Sequence, residues 1–158
     1  MNFKKNNCLN LYNLFNILYK ESIKALKLNE VPVSALVYDP YKKKIISRAH
    51  NLNKTKFDPC AHAEIKAIQK ACKHVKKSRL DGFYLICSLE PCLMCSSVIL
   101  QSKISRVYFS LEDKKTGSLI NNFKLAFNTK FSKKIKIYYG FDEERFSKLL
   151  KDFFKNKR

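Results

Sequence analysis

Apolar residues at Leu11, Leu14, Phe15, Leu18, Ile23 and Leu26 recur at three- and four-residue steps, which predicts an amphipathic helix over Leu11–Leu28. Beyond it the pattern shortens to apolar runs bounded by turn residues. Val31–Tyr38 and Lys43–His50 predict two strands of a hairpin turning at Asp39-Pro40. Ala61–His74 predicts a helix, Phe83–Cys87 a buried strand, and Cys92–Gln101 another helix. Arg106–Ser110 and Ile135–Tyr139 complete the strands, and Glu143–Phe154 reads as a last amphipathic helix. Strands alternating with helices predict an α/β fold whose sheet is covered on both faces. No repeat or linker interrupts the pattern, so residues 1–158 are expected to form a single domain, long enough to bury roughly 70% of the surface its unfolded chain exposes.

Charge changes the picture of what this domain meets. Lys and Arg number 32 against 13 Asp and Glu, a net +19 that suits an anionic partner such as nucleic acid. An A/T-biased coding sequence gives the same richness in Lys, Asn, Ile, Phe and Tyr with little Gly and no Trp, so the sum alone leaves both readings open. The distribution is more telling. Lys42–Lys44, Lys54, Lys56, Lys130–Lys136 and Lys151–Arg158 fall largely in loops and at the C-terminus, where charges can track phosphates, whereas the cluster from Lys70 to Arg79 suits a helix end. Leu9–Leu18 is broken by Asn10, Asn13 and Asn16, so neither a signal peptide nor a membrane span is expected. Six cysteines in such a chain point to a reducing compartment, hence a soluble cytoplasmic protein without a membrane partner.

Two of those cysteines carry chemistry. His62-Ala63-Glu64 and Pro91-Cys92-Leu93-Met94-Cys95 supply one imidazole, two thiolates and one further carboxylate. With Pro91 in the first turn of a helix, Cys92 and Cys95 would lie three apart on one face and reach one metal. Three protein ligands leave a fourth corner of a zinc site open, as in catalytic sites, and Glu64 is placed for proton transfer there. The competing reading is a closed structural site completed by Cys8, Cys60, Cys72, Cys87, His50 or His74. None of these forms a second paired motif, and Cys72 and Cys87 sit in apolar stretches.

The HxE and PCxxC pair resembles the signature of the zinc-dependent cytidine deaminase superfamily. Within it the chain is most similar to the bacterial tRNA-specific adenosine deaminases, from about Glu30 to the C-terminus. The resemblance is carried by Glu30-Val31-Pro32-Val33, Asp58-Pro59 leading into Ala61–Glu64, Leu89-Glu90-Pro91-Cys92, Asp113–Gly117 and Asp152-Phe153-Phe154. It implies a three-layer α/β/α cytidine-deaminase-like fold around a mixed five-stranded sheet, and one Zn²⁺ per subunit held by His62, Cys92 and Cys95. It implies that Glu64 shuttles protons and that Asn51, Asp113, Val33 and Ala63 bind substrate. Lys115, Phe153, Lys155 and Arg158 would touch RNA, with a basic C-terminal helix (about 142–158) on the tRNA stem-loop of a homodimer. The implied reaction converts the wobble adenosine of an arginine tRNA to inosine. The competing reading of Asn51 is a turn residue after a strand. Departures from the family pattern are Cys60 for Thr, Ser34 for Gly, Ser96-Ser97 for an Ala-Gly pair, and Leu52 for Arg. Two rival functions share the motifs: deamination of a free base or nucleoside of guanine or cytosine type, and a non-catalytic zinc-containing RNA-binding module.

Overall fold

In a computed structural model that describes residues 10–128 and 135–157, five strands form one sheet in the order β2-β1-β3-β4-β5. They are β1 Ser34–Asp39, β2 Lys44–His50, β3 Tyr84–Leu89, β4 Arg106–Leu111 and β5 Lys136–Tyr139. The pairs of β1 with β2 and β3 are antiparallel, those of β4 with β3 and β5 parallel, so the sheet is mixed as expected. Five helices surround it: α1 Leu11–Lys27, α2 Asn53–Lys56, α3 Ala63–Val75, α4 Leu93–Gln101 and α5 Glu143–Lys155.

Strand alternation sorts the layers. Ala35, Val37, Leu85, Cys87, Val107 and Phe109 point to the face covered by α3 and α4, whereas Leu36, Ile86 and Tyr108 point to the face covered by α1 and α5. Parallel strands need a crossover, and α4 supplies it between β3 and β4. α3 and α4 therefore lie side by side, with their N-termini at the end of the sheet where β3 leaves it. This placement brings the HxE and PCxxC segments together.

Local physics accounts for the differences from the pattern. The first strand starts at Ser34 and not at Val31, because Pro32 lacks an N–H and the Val33 N–H closes a tight turn onto the Val31 carbonyl at 2.7 Å. Short α2, Asn-Lys-Thr-Lys, has no apolar residue to show a period, and it ends on Phe57 at φ 49. Asn10 caps α1 by accepting from the Asn13 N–H at 3.0 Å. Ser34 turns out to be useful: its hydroxyl is fully buried, donates to the Leu18 carbonyl at 2.8 Å and meets the Ser22 hydroxyl at 2.7 Å, tying β1 to α1.

α5 is held by an aromatic cluster. Phe146 is 1% exposed and presents its ring edge-on to Phe15 and Tyr19, with centroids at 6.2 and 5.5 Å. Phe146→Ala is expected to cost about 3–5 kcal/mol, read from urea denaturation, because the sheet and two helices cannot collapse into the void. Zinc content should be unchanged, since the cluster and the metal-donor motifs lie on opposite faces.

Candidate metal centre

His62 and Cys92 both occupy helix N-cap positions in extended backbone, at φ −70 and −69, and Cys95 follows one turn into α4. The helix expected from Cys92 starts at Leu93, so Pro91 stands one residue before the cap and not in the first turn. The two sulfurs converge because Cys92 flanks the helix start and Cys95 lies within its first turn. Likewise α3 begins at Ala63, two residues later than expected, because the extended backbone of His62 turns its imidazole toward α4.

The His62 Nδ1 lies 3.5 Å from the Cys95 sulfur and 3.7 Å from the Cys92 sulfur, and the three donor atoms fall within 4.8 Å of one another. Adjacent corners of a zinc tetrahedron with Zn–N about 2.0–2.1 Å and Zn–S about 2.3 Å are about 3.6 Å apart, so these donors already stand at ligand spacing. Their chemistry agrees. The Cys92 thiol is drawn down to about 4 by the Cys95 hydrogen bond and the neighbouring His62, against its burial, while Cys95 is pushed up by pairing with Cys92 and by burial. A cation bound between the sulfurs would displace the thiol proton that remains. The hydrogen bond to Cys92 also raises His62. Two thiolates, one neutral imidazole and Zn²⁺ sum to zero charge, and this soft donor set favours zinc over oxygen-seeking cations.

Glu64 follows His62 by two residues on α3 and stands outside the three-donor group. It is 3% exposed, its carboxyl is pushed up to about 7 by burial, and its Oε2 has no hydrogen-bond partner. A buried carboxylate oxygen without a partner is costly, so its retention marks a place for a ligand that carries a proton. A cavity of about 270 Å³ opens there, lined by Val33, Asn51, His62, Glu64, Cys92 and Asp113 among others. Among the described residues no fourth donor joins the group. Cys60 is exposed, Cys72 lies far along α3, Cys87 points its thiol at the Tyr108 carbonyl, and Cys8 lies outside the described residues. His50 is committed to Glu21 at 2.9 Å, and His74 is exposed on the last turn of α3.

The other expected residues divide. The Asn51 Oδ1 accepts from the Ala63 N–H at 2.9 Å, so this asparagine satisfies the first amide of α3 and keeps its Nδ2 as a donor for the cavity. Ala63 is fully buried and its N–H is spent on that bond, so it offers a substrate no donor. Val33 forms an apolar wall. Asp113 lines the mouth and folds its own loop by accepting from the Lys115 and Thr116 amides at 2.9 and 3.1 Å. Lys115 and Lys155 are exposed. Phe153 is buried, because Phe146, Leu149 and Phe153 make the inner stripe of α5; the exposed ring is that of Phe154, 53% accessible. Lys54 and Lys157 cover the Phe153 ring at 5.8 and 5.5 Å, so the basic end of α5 is latched onto α2 beside the cavity. Arg158 lies outside the described residues. Sequence reasoning gave no role to Glu30 and Glu90, which also line the cavity and are 1% and 2% exposed. The available signal was an acidic residue set directly against Val-Pro or Pro-Cys in a chain this basic.

Comparison with known proteins fits this geometry. The family model for the cytidine and deoxycytidylate deaminase zinc-binding region matches residues 10–111. The tRNA-specific adenosine deaminase of Aquifex aeolicus is 38% identical over 143 residues, covering 90% of this chain and 92% of that protein. A solved structure from work on wobble-position tRNA deaminases that perform A-to-I editing superposes with a TM-score of 0.82 at 28% identity, covering 88% of this chain and 99% of that one. A guanine deaminase from Nitrosomonas europaea superposes with a TM-score of 0.75 at 17% identity, covering 87% and 81%, a likeness of fold alone.

Proposed function

Because the chain belongs to the cytidine and deoxycytidylate deaminase zinc-binding family, we infer that it hydrolytically deaminates the wobble adenosine of a tRNA anticodon loop to inosine. The observation that carries this reading is the unpartnered, buried Glu64 oxygen in a cavity shared with His62 and Cys92 of the three-donor group. The 38% identity to a tRNA-specific enzyme over nearly its whole length directs it to RNA. His62, Cys92 and Cys95 hold the zinc. When bound, zinc supplies Lewis-acid chemistry that brings the ionisation of a water close to neutral pH.

Glu64 then moves the protons. It takes one from the attacking water, and the oxygen bonds to the amine-bearing carbon of adenine. The same carboxyl passes that proton to the ring nitrogen, then takes the proton left on the new hydroxyl and gives it to the amine; the carbon–nitrogen bond breaks as the C=O forms, and ammonia leaves. Asn51 offers its Nδ2 to the nucleoside, Val33 packs against the base, and Asp113 faces the ribose. The base must first leave the stack, which a single-stranded anticodon loop permits at a few kcal/mol.

The wider assignments follow the same reading. One deaminase domain spans residues 1–158, and its α5 tail, with Lys151, Lys155 and Lys157 exposed, lies along the stem of an arginine tRNA. A homodimer covers the apolar surface where Leu93, Phe123 and Phe127 are 43%, 60% and 70% exposed. No helix among the described residues is long and apolar enough to cross a membrane. Work on tRNA in a reducing cytoplasm suits the free thiols.

The test is sequencing of total tRNA before and after incubation with the enzyme, together with ammonia release from an anticodon stem-loop and from free adenosine, guanine and cytidine. The expected outcome is adenosine-to-inosine conversion confined to the wobble position. Faster turnover of a free base or nucleoside than of the stem-loop would replace this reading with the free-base rival.

A further inference from the structure

We propose that Glu90 is the positioning residue of the substrate-facing loop, its buried carboxylate holding residues 112–122, and Asp113 with them, in fixed relation to the metal donors. The side chain is 2% exposed. Its Oε1 accepts from the backbone N–H groups of Ile120 at 2.9 Å and Asn121 at 3.0 Å. Its Oε2 accepts from the Asp113 N–H at 3.1 Å and from the Asn121 side-chain amide. One carboxylate thus gathers donors from the beginning and the end of the same loop. Among the described residues it has no Lys, Arg or His partner, and its side-chain hydrogen bonds go to this loop.

The loop closes tightly onto it. The Gly117 N–H returns to the Asp113 carbonyl at 2.9 Å, and a Cβ on Gly117 would collide with both the Glu90 carboxylate and that carbonyl. Its backbone also bridges to Cys92, and the Ser118 N–H donates to the Pro91 carbonyl at 3.0 Å. Glu90, Pro91 and Cys92 are consecutive. The segment that delivers a metal donor therefore also clamps the loop that carries Asp113, and the separation between zinc site and ribose-facing carboxylate is set by two residues of chain. Leu119 and Ile120 pack the far end of the loop into the core, whereas residues 112–116 have no apolar side chain to dock them, so without the carboxylate the Asp113 end of the loop would turn its amide to water.

The functional half of this assignment rests on the deaminase reading, and the structural half does not. Glu90→Gln keeps the shape but turns an amide donor toward donors already there. With an anticodon stem-loop as substrate, KM is expected to rise at least about tenfold, as losing one charge-assisted bond gives. kcat and zinc per chain should stay near wild type. The effect should be absent in an Asp113→Ala background, because the clamp acts through that loop. Hydrogen exchange at the amides of residues 113, 120 and 121 should accelerate while α3 amides are unchanged. Asn121→Ala, which removes one donor and leaves the carboxylate, should show the same changes at smaller size if Glu90→Gln folds poorly. Unchanged KM with a kcat that falls in step with the folded fraction, or multiplicative effects of Glu90→Gln and Asp113→Ala, would overturn the assignment. Should wild type leave the stem-loop untouched, the function fails and the exchange arm still decides: unchanged loop amides in Glu90→Gln overturn the clamp, and accelerated ones uphold it.

Discussion

Glu64→Gln enzyme is expected to keep its zinc and its fold while deaminating an anticodon stem-loop on the order of 10⁴-fold more slowly, measured by single-turnover kinetics beside metal analysis. General acid–base catalysis contributes about 10²–10⁴ in rate when one group makes one transfer. Glu64 serves as base for the attacking water and then as acid for the base nitrogen and the amine, so its loss falls at the upper end of that range. Glutamine matches it in volume and cannot change protonation. Stability should not fall. Glu64 is 3% exposed with one oxygen unpartnered, so the native state already bears the desolvation of that group, and a neutral amide relieves part of it. A variant as stable as wild type or slightly more so, fully loaded with zinc and inert, is the signature of a group kept for chemistry. Near-normal turnover by the purified, zinc-loaded variant would remove Glu64 from the mechanism and restore the non-catalytic RNA-binding module as the leading reading.

How far the sequence led depended on the range of the forces involved. The periodicity of Leu14, Phe15 and Leu18 in α1 and the alternation in β1, β3 and β4 are consequences of facing one core, so the layers were legible without coordinates. The metal donors were legible because their chemistry is written in residue types: two thiols and an imidazole have few other joint uses. What escaped was set by backbone conformation at element ends. His62 and Cys92 sit at caps, where extended backbone interrupts the helical period, and no pattern of apolar residues reports that. Phe153 was given an RNA contact by the family resemblance, yet its place on the stripe with Phe146 and Leu149 buries it. Glu30 and Glu90 were hidden for a different reason. Their partners, the Thr55 N–H and hydroxyl in one case and the 113–121 amides in the other, are distant in sequence and mostly generic backbone N–H groups that leave no mark on composition.

Cys92→Ala is expected to lose zinc, and with it both activity and a metal-linked part of the stability. The donors lie at the N-termini of α3 and α4, so bound metal cross-links two helices that otherwise meet only by side-chain packing. A ligand that binds only the folded state stabilises it by RT ln(1 + [L]/Kd), about 4 kcal/mol when free zinc exceeds Kd a thousandfold. With His62 and Cys95 alone, two donors remain of three, and Kd rises out of that regime. The thermal midpoint of wild type should therefore fall on chelation and return on zinc addition. In Cys92→Ala it should start near the chelated wild-type value and respond to neither treatment. This cycle separates metal loss from damage to packing: a cavity at the half-buried Cys92 would lower the midpoint below that of chelated wild type, and metal loss alone would not. Stoichiometric zinc in Cys92→Ala, or a midpoint that still climbs with added zinc, would mean that the site closes on a different set of donors and that Cys92 is not one of them.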